Sequence, residues 1–160
     1  MPLTLPRTRP TCPSAGSSII HEQNDMNLDK YRREHADIIG HVQQLKALCT
    51  QGIAEEAVSI AREVIAMSSV IKLHLSVEDR YLYPAMQQAS PALAAKARHY
   101  QEEMQDISAQ YAQFSRQWND AQRIAEQPEL FRADANRVLK LLFDRIGREN
   151  RDFYPMVEAA

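Results

Sequence analysis

The sequence predicts an all-α protein, an antiparallel up-down-up-down four-helix bundle with internal two-fold duplication of a helix pair. Three observations lead there. Apolar residues recur at alternating spacings of three and four along four separate stretches, the pattern of helices that each bury one face. No stretch alternates apolar and polar with period two between turn residues, so no strand is expected. The chain also repeats itself. Glu78-Asp79-Arg80-Tyr81-Leu82-Tyr83-Pro84 returns 71 residues later as Glu149-Asn150-Arg151-Asp152-Phe153-Tyr154-Pro155, and Tyr31, Glu34, Asp37 and Ile38 return as Tyr100, Glu103, Asp106 and Ile107 at an offset of 69. Two copies of one helix pair make a four-helix chain.

Composition sets the frame. The 160 residues are enough for one ordinary domain with a real core. Lys and Arg number 19 against 21 Asp and Glu, a net charge of −2 with the signs interspersed. Neither a nucleic acid nor a membrane surface is therefore expected as partner. Cys12 and Cys49 form no motif and imply no disulfide framework, which fits a reducing cytoplasm. No apolar run approaches the roughly 20 residues needed to span a bilayer.

In chain order, residues 1–26 read as a disordered tail. Four of the eight prolines fall in the first thirteen residues, Gly16-Ser17-Ser18 follows, and there is no continuous apolar segment of the kind a secretory signal needs. His21 belongs to this tail, and Met26 is positioned to serve as an alternative start. Residues 27–160 form the predicted domain. Helix 1 is expected from about Asp29 to Thr50 with Gly52 as its stop, and carries the stripe Leu28, Tyr31, His35, Ile38, Val42, Leu45, Cys49. His41 lies beside that stripe. Helix 2 is expected from about Ala54 to Tyr83, with the stripe Ala57, Ile60, Val64, Met67, Ile71, His74, Glu78, Tyr81. Ser90-Pro91 is a cap and first-turn pair for helix 3, whose stripe is Leu93, Ala97, Tyr100, Met104, Ile107, Tyr111, Phe114, Trp118. Pro128 opens helix 4, with Phe131, Ala135, Val138, Leu142, Arg145, Glu149, Asp152 and Met156 on one face. All four prolines after residue 80 fall at predicted helix edges, and the short connections make neighbouring helices antiparallel.

The chemistry sits on these stripes. His74 and Glu78 are four residues apart, separated by roughly 40° around a helix axis, so both point into the core. A carboxylate is almost never buried without a partner, so a metal ion, a cationic side chain or both must meet it. His35 faces inward from helix 1 and Glu149 from helix 4. Facing helices that carry inward His and Glu can hold iron or manganese. Arg145 is one turn from Glu149 on the same stripe, where an inward guanidinium would ion-pair with Glu149 and Glu78. Glu103, at the edge of the helix 3 stripe, is a further carboxylate ligand candidate, although its counterpart Glu34 looks like a flanking residue. His99 is one position off the stripe and reads as a surface histidine. Tyr31, Tyr81, Tyr100 and Tyr111 line the same faces, as core packing or as a tyrosinate ligand.

An inward histidine on helix 1, His-x-x-x-Glu on helix 2 followed by Leu82-Tyr83-Pro84, and a repeat of that pair resemble the hemerythrin-like (HHE) family over roughly residues 28–160. The resemblance implies an antiparallel four-helix bundle holding two non-haem irons bridged by oxygen and carboxylates, with dioxygen binding, iron or oxygen sensing, or nitric oxide handling as activities. Carried over residue by residue, it makes His35, His74 and the bridging Glu78 a complete first half-site, and matches Glu149 to the second bridging carboxylate. The family's helix 3 histidine falls on Met104 and its helix 4 histidine on Arg145. Methionine is a soft ligand better suited to copper, and arginine does not ligate a cation.

The expected function is thus a hemerythrin-like iron-binding domain with a partial, asymmetric site that binds or senses a small molecule such as dioxygen or nitric oxide. The alternative is a metal-free bundle in which Arg145 replaces the cation and the domain serves a structural or interaction role. Nothing in the sequence adds a substrate pocket, so an iron-dependent oxidase or peroxidase has the least support. One expectation concerns the tail alone. A chain starting at Met26 should melt within about 3 °C of the full chain, under ~1 kcal/mol for a domain of this size. A drop of many degrees in a thermal scan would show that the tail packs on the bundle.

Overall fold

The computed structural model describes residues 27–160, and every regular element among them is helical. The expected tail lies outside the described residues. Helix α1 spans Leu28–Gln51. Helix α2 starts as Ala57–Val77, passes through a π-helical turn at Glu78–Leu82 and finishes as Tyr83–Gln87. Helix α3 spans Pro91–Trp118. Helix α4 is the short Ala121–Glu126. Helix α5 runs as Pro128–Arg148, a second π-helical turn at Glu149–Phe153, and Tyr154–Glu158.

The boundaries reflect local chemistry. Asn27 Oδ1 accepts from the Lys30 N–H at 3.3 Å and caps α1. Gly52 ends it at φ 116°, in the left-handed region that favours glycine. Ser90 Oγ accepts from the Leu93 N–H at 3.4 Å, and Pro91 and Pro128 open α3 and α5, where a missing N–H costs nothing. Helix α4 was not apparent from periodicity, because six residues hold too little of a repeat. Asp120 caps it, accepting from the Gln122 N–H at 2.9 Å, and fully buried Ile124 seats it against α2.

The stripes expected on α1 and α3 are buried as read, apart from Cys49, which is half-buried. Trp118 meets Phe131 edge to face and Phe114 packs tilted against Phe131 at one end of the core, and the Trp118 indole N–H donates to Asp134 at 3.0 Å. Each such fully buried large side chain contributes about 1.5–3 kcal/mol. Buried Ser68 is satisfied by Ser115 at 2.7 Å and by the Val64 carbonyl at 2.6 Å.

The two π-helical turns overturn the ends of two expected stripes. Tyr81 was expected inward but is 58% exposed, and Asp152 and Met156 are exposed too. In each turn the backbone bond spans five residues, from the Tyr83 N–H to the Glu78 carbonyl and from the Tyr154 N–H to the Glu149 carbonyl. The added residue rotates the helix beyond it by roughly 100°, so Leu82, Tyr83, Phe153 and Tyr154 are fully buried instead. The same turns correct the reading of Pro84 and Pro155 as helix edges. The helix resumes through both, because a widened turn accommodates a residue that lacks an N–H.

The phase shift has a measurable consequence. Leu82→Ala should cost about 2–5 kcal/mol in chemical denaturation, as a core truncation does, and Tyr81→Ala no more than about 0.5 kcal/mol. Similar costs for both would contradict the rotation.

Candidate metal centre

His35 on α1, His74 and Glu78 on α2 and Glu149 on α5 meet in the interior. One ligand atom from each lies within 4.8 Å of all the others, a group that could hold a metal ion. None of the four is more than 2% exposed, and the imidazole centroids are 4.6 Å apart.

Each ring is held by its outer nitrogen. His74 Nδ1 lies 2.8 Å from Glu34 Oε2, and His35 Nδ1 lies 2.9 Å from Asn150 Oδ1. Both partners accept, so each Nδ1 carries a hydrogen and Nε2 is the atom that meets the centre. Burial and the neighbouring His35 lower the His74 pKa, against the opposing pull of Glu34, so its Nε2 presents a lone pair. That atom has no hydrogen-bond partner, and neither does Glu149 Oε2, although His35 Nε2 is only 3.2 Å from the latter. Buried unsatisfied atoms are rare in folded proteins. Here two of them point at one spot beside a second imidazole and a second carboxylate. A donor set of two imidazole nitrogens and two carboxylates suits a divalent cation of the iron, manganese or zinc type. The residues fit a metal ion of that class.

The carboxylates are bound crosswise. The Tyr154 hydroxyl donates to Glu78 Oε1 at 2.6 Å, and the Tyr83 hydroxyl lies 2.7 Å from Glu149 Oε1 and 3.1 Å from Glu78 Oε2. Both phenols have raised pKa values, from burial first and then from the charges of Glu78 and Glu149, so they remain donors. Each tyrosine stands five residues after a site glutamate. The π-helical turn is what lets both face inward, since an unbroken α-helix would turn i+5 away by roughly 140°.

The two carboxylates titrate apart. Burial and the charge of Glu149 push Glu78 well above the usual carboxylate range, against the opposing pull of Tyr154, Arg145 and Tyr83. Burial pushes Glu149 up as well, but the neighbouring His35, the charge of Arg145 and the Tyr83 hydroxyl outweigh it and bring the value to about 2. Glu78 is therefore the carboxylate of the pair that takes up a proton more readily.

Arg145 is the third feature. It is 1% exposed. Its Nε–H donates to Glu149 Oε1 at 2.7 Å, Nη2 donates to the Tyr83 hydroxyl at 2.7 Å and the Tyr100 carbonyl at 2.8 Å, and Nη1 donates to Glu103 at 3.1 Å. The guanidinium lies 4.3 Å over the Tyr100 ring. Burial would lower its pKa, but Glu149 and Tyr83 raise it further, so the charge is fixed. The sequence led one to expect direct pairing with both carboxylates. Arg145 instead pairs with Glu149 and reaches Glu78 only through Tyr83.

The other candidates fall around this core. Glu103 is half-buried, outside the four-residue group, with its oxygens on Arg145 at 3.1 Å and Arg148 at 3.0 Å. Met104 is buried in the apolar core, Tyr111 bonds Ser68 at 3.2 Å, and His99 is exposed. Tyr31 packs its edge on the His74 ring. His41 pairs with Glu63 at 2.6 Å. Sequence reasoning missed Glu34, Asn150, Tyr83 and Tyr154. The two tyrosines were within reach, since both stand in the repeated motif at the same distance from a glutamate. Glu34 and Asn150 gave no signal, because half-exposed polar residues flank every amphipathic helix.

The family model described as the hemerythrin HHE cation binding domain matches residues 26–157. No curated protein and no solved structure matches the chain.

Arg145→Leu should destabilise the metal-free protein by about 3–5 kcal/mol, because it strands Glu149 with its charge buried. Urea unfolding of protein stripped with a chelator measures this. A loss below about 1 kcal/mol would mean that Arg145 does not neutralise the carboxylates.

Proposed function

The chain belongs to the hemerythrin HHE cation-binding family, and from that membership we propose that it binds a single non-haem iron and, through it, a small molecule such as dioxygen or nitric oxide. The observation that carries this reading is the division of Glu149. Oε1 is committed to Arg145 and Tyr83, while Oε2 is unpartnered and faces the imidazoles. One carboxylate oxygen is thus left for one cation, on the side of His35, His74 and Glu78. Arg145 takes the side where the family's second metal would lie. A unit charge placed 4 Å from that guanidinium would be repelled by about 4 kcal/mol at an effective dielectric near 20.

The chain's own residues then have distinct tasks. His35, His74, Glu78 and Glu149 would hold the ion. Glu34 and Asn150 fix the imidazole tautomers and raise ligand basicity. Tyr154 and Tyr83 hold the carboxylates in place, and the buried setting keeps water from the centre. Iron, when bound, supplies the affinity for a diatomic ligand. Metal entry requires the ionised form of Glu78, the carboxylate whose pKa burial raises, so uptake should release protons.

The up-down-up-down order belongs to the same proposal. It is supported by cross-helix pairs in which one number falls as the other rises: Glu34–His74 and His41–Glu63, Ser68–Ser115 and Asp79–Gln101, Glu103–Arg145 and Asp134–Trp118. Internal duplication is supported by the π-helical turns at the same place in both copies and by the matching roles of Glu78 with Tyr83 and Glu149 with Tyr154. Residues 27–160 would constitute the domain. A cytoplasmic location goes with the reading, supported by the free thiol of Cys49. No described helix is long and apolar enough to cross a membrane.

One observation favours a second reading. Arg145 already gives Glu149 a buried cationic partner at 2.7 Å, so the bundle would stand without a metal and serve as a structural or interaction module. Iron per chain separates the two. Untagged wild type should hold at most one iron per chain by elemental analysis, and His74→Ala less than a tenth of that. Arg145→His with Met104→His should raise the value toward two. Two tightly bound irons in the wild type would refute the single-cation reading, and so would a wild type without iron whose double variant stays empty.

A further inference from the structure

Helices α1 and α5 are tied at one end by His35 to Asn150 at 2.9 Å and Arg32 to Glu158 at 2.6 Å. Beginning at Val42, about 10 Å further along α1, they part and leave a groove of about 590 Å³. That is the size range of small-molecule sites. Its floor is apolar, from the core side chains Val42, Leu45 and Leu139, and the small Ala135 leaves it open. On the walls Phe143 is 53% exposed and Cys49 is half-buried, apolar surface that nothing in the described chain covers.

The rim carries the opposite sign from the chain as a whole. Lys46, Arg132 and Lys140 stand against one carboxylate, Asp144. The Lys140–Asp144 and Arg132–Glu129 pairs are solvent-exposed and hold their members loosely. Lys46 has no ion-pair partner among the described residues. Arg132 stands close enough to draw the Cys49 thiol down, against the larger upward push of burial.

We propose that this groove binds an aliphatic monocarboxylate, with the alkyl chain on the Leu45, Leu139 and Phe143 floor and wall and the carboxylate at Lys46 and Arg132. Charge weighs on two other occupants. In the N-terminal segment Leu3 and Leu5 adjoin Arg7 and Arg9 and would bring cations to a cationic rim, while Ile19 and Ile20 adjoin Glu22 and Asp25, a pairing that removal of residues 1–26 tests. A second copy docked face to face would set the same three cations against themselves.

Cys49 reports on the groove. In the full-length chain carrying Cys12→Ser, dodecanoate kept below its micelle concentration should slow alkylation of Cys49 by iodoacetamide at least tenfold. Dodecyltrimethylammonium, with the same chain and the opposite charge, should leave the rate within twofold. Lys46→Glu with Arg132→Glu, both on the exposed surface, should abolish the protection at unchanged helicity by circular dichroism. Ala135→Phe, which fills the floor, should abolish it independently. Absence of protection by dodecanoate, or equal protection by the cationic amphiphile, overturns the proposal. So does Cys49 reactivity that rises when residues 1–26 are removed, which would give the groove to that segment.

Discussion

Glu78 and Glu149 are both wholly buried between apolar helix faces, and most of the interior is arranged to keep them there. Leaving one such charge without a partner would cost several kcal/mol, a large fraction of the stability of a domain this size. The chain meets that demand with a fixed cation on Arg145, two phenols that donate into the pair, and a Glu78 pKa raised by burial. The π-helical turns answer the same demand. A glutamate and a tyrosine five residues apart can serve one centre only if a turn is widened, and both copies of the motif are widened at that place. Single-turn π-bulges are often found at functional sites.

Most of the bundle was legible because burial on one helix face has a fixed period. The α3 stripe from Leu93 to Trp118 is buried without exception, and Ser90 and Gly52 cap as their chemistry requires. The convergence of His35, His74, Glu78 and Glu149 could be read from the same stripes. What periodicity cannot register is a change of period. Tyr81, Asp152 and Met156 were placed by continuing a 3.6-residue repeat through turns where it no longer holds. The crosswise bonding of Tyr83 and Tyr154 was hidden for a second reason. It links residues 66 and 76 positions apart, and a pattern read along one helix contains nothing about the facing one. Glu34 shows a third limit, since its role comes from the ring it touches rather than from its own burial.

Arg145 gives the centre its asymmetry. With histidines at both its position and that of Met104, the core would present two comparable sets of imidazoles around Glu78 and Glu149. The guanidinium instead claims one oxygen of Glu149 and the Tyr83 hydroxyl, and its remaining hydrogens go to the Tyr100 carbonyl and to Glu103. Lysine could not reproduce this, since the geometry depends on a planar fork with several donors. The path from Arg145 through Glu103 to Arg148 also brings the buried network to the surface, because Glu103 is half-exposed. Solvent and salt can act on the centre from that side.

The crosswise bonds tie the two copies of the motif to each other. Tyr83, from the first, holds the glutamate of the second, and Tyr154, from the second, holds the glutamate of the first. Neither copy can complete its site alone, so the centre is also the place where the halves are joined. Within such a network the effects of single changes do not add, since removing one member frees or strands the groups that remain. The seam between α1 and α5 shows how local this joining is. Where His35 meets Asn150 the two helices are held, and beyond Val42, with no polar link between them among the described residues, the groove lies between them. An occupant of the centre would stabilise the fold in proportion to its affinity, as any ligand selective for the native state does. Because His35 is the one residue of α1 in the four-residue group, that stabilisation would pass to α1 through its ring, at the closed end of the same seam that opens into the groove.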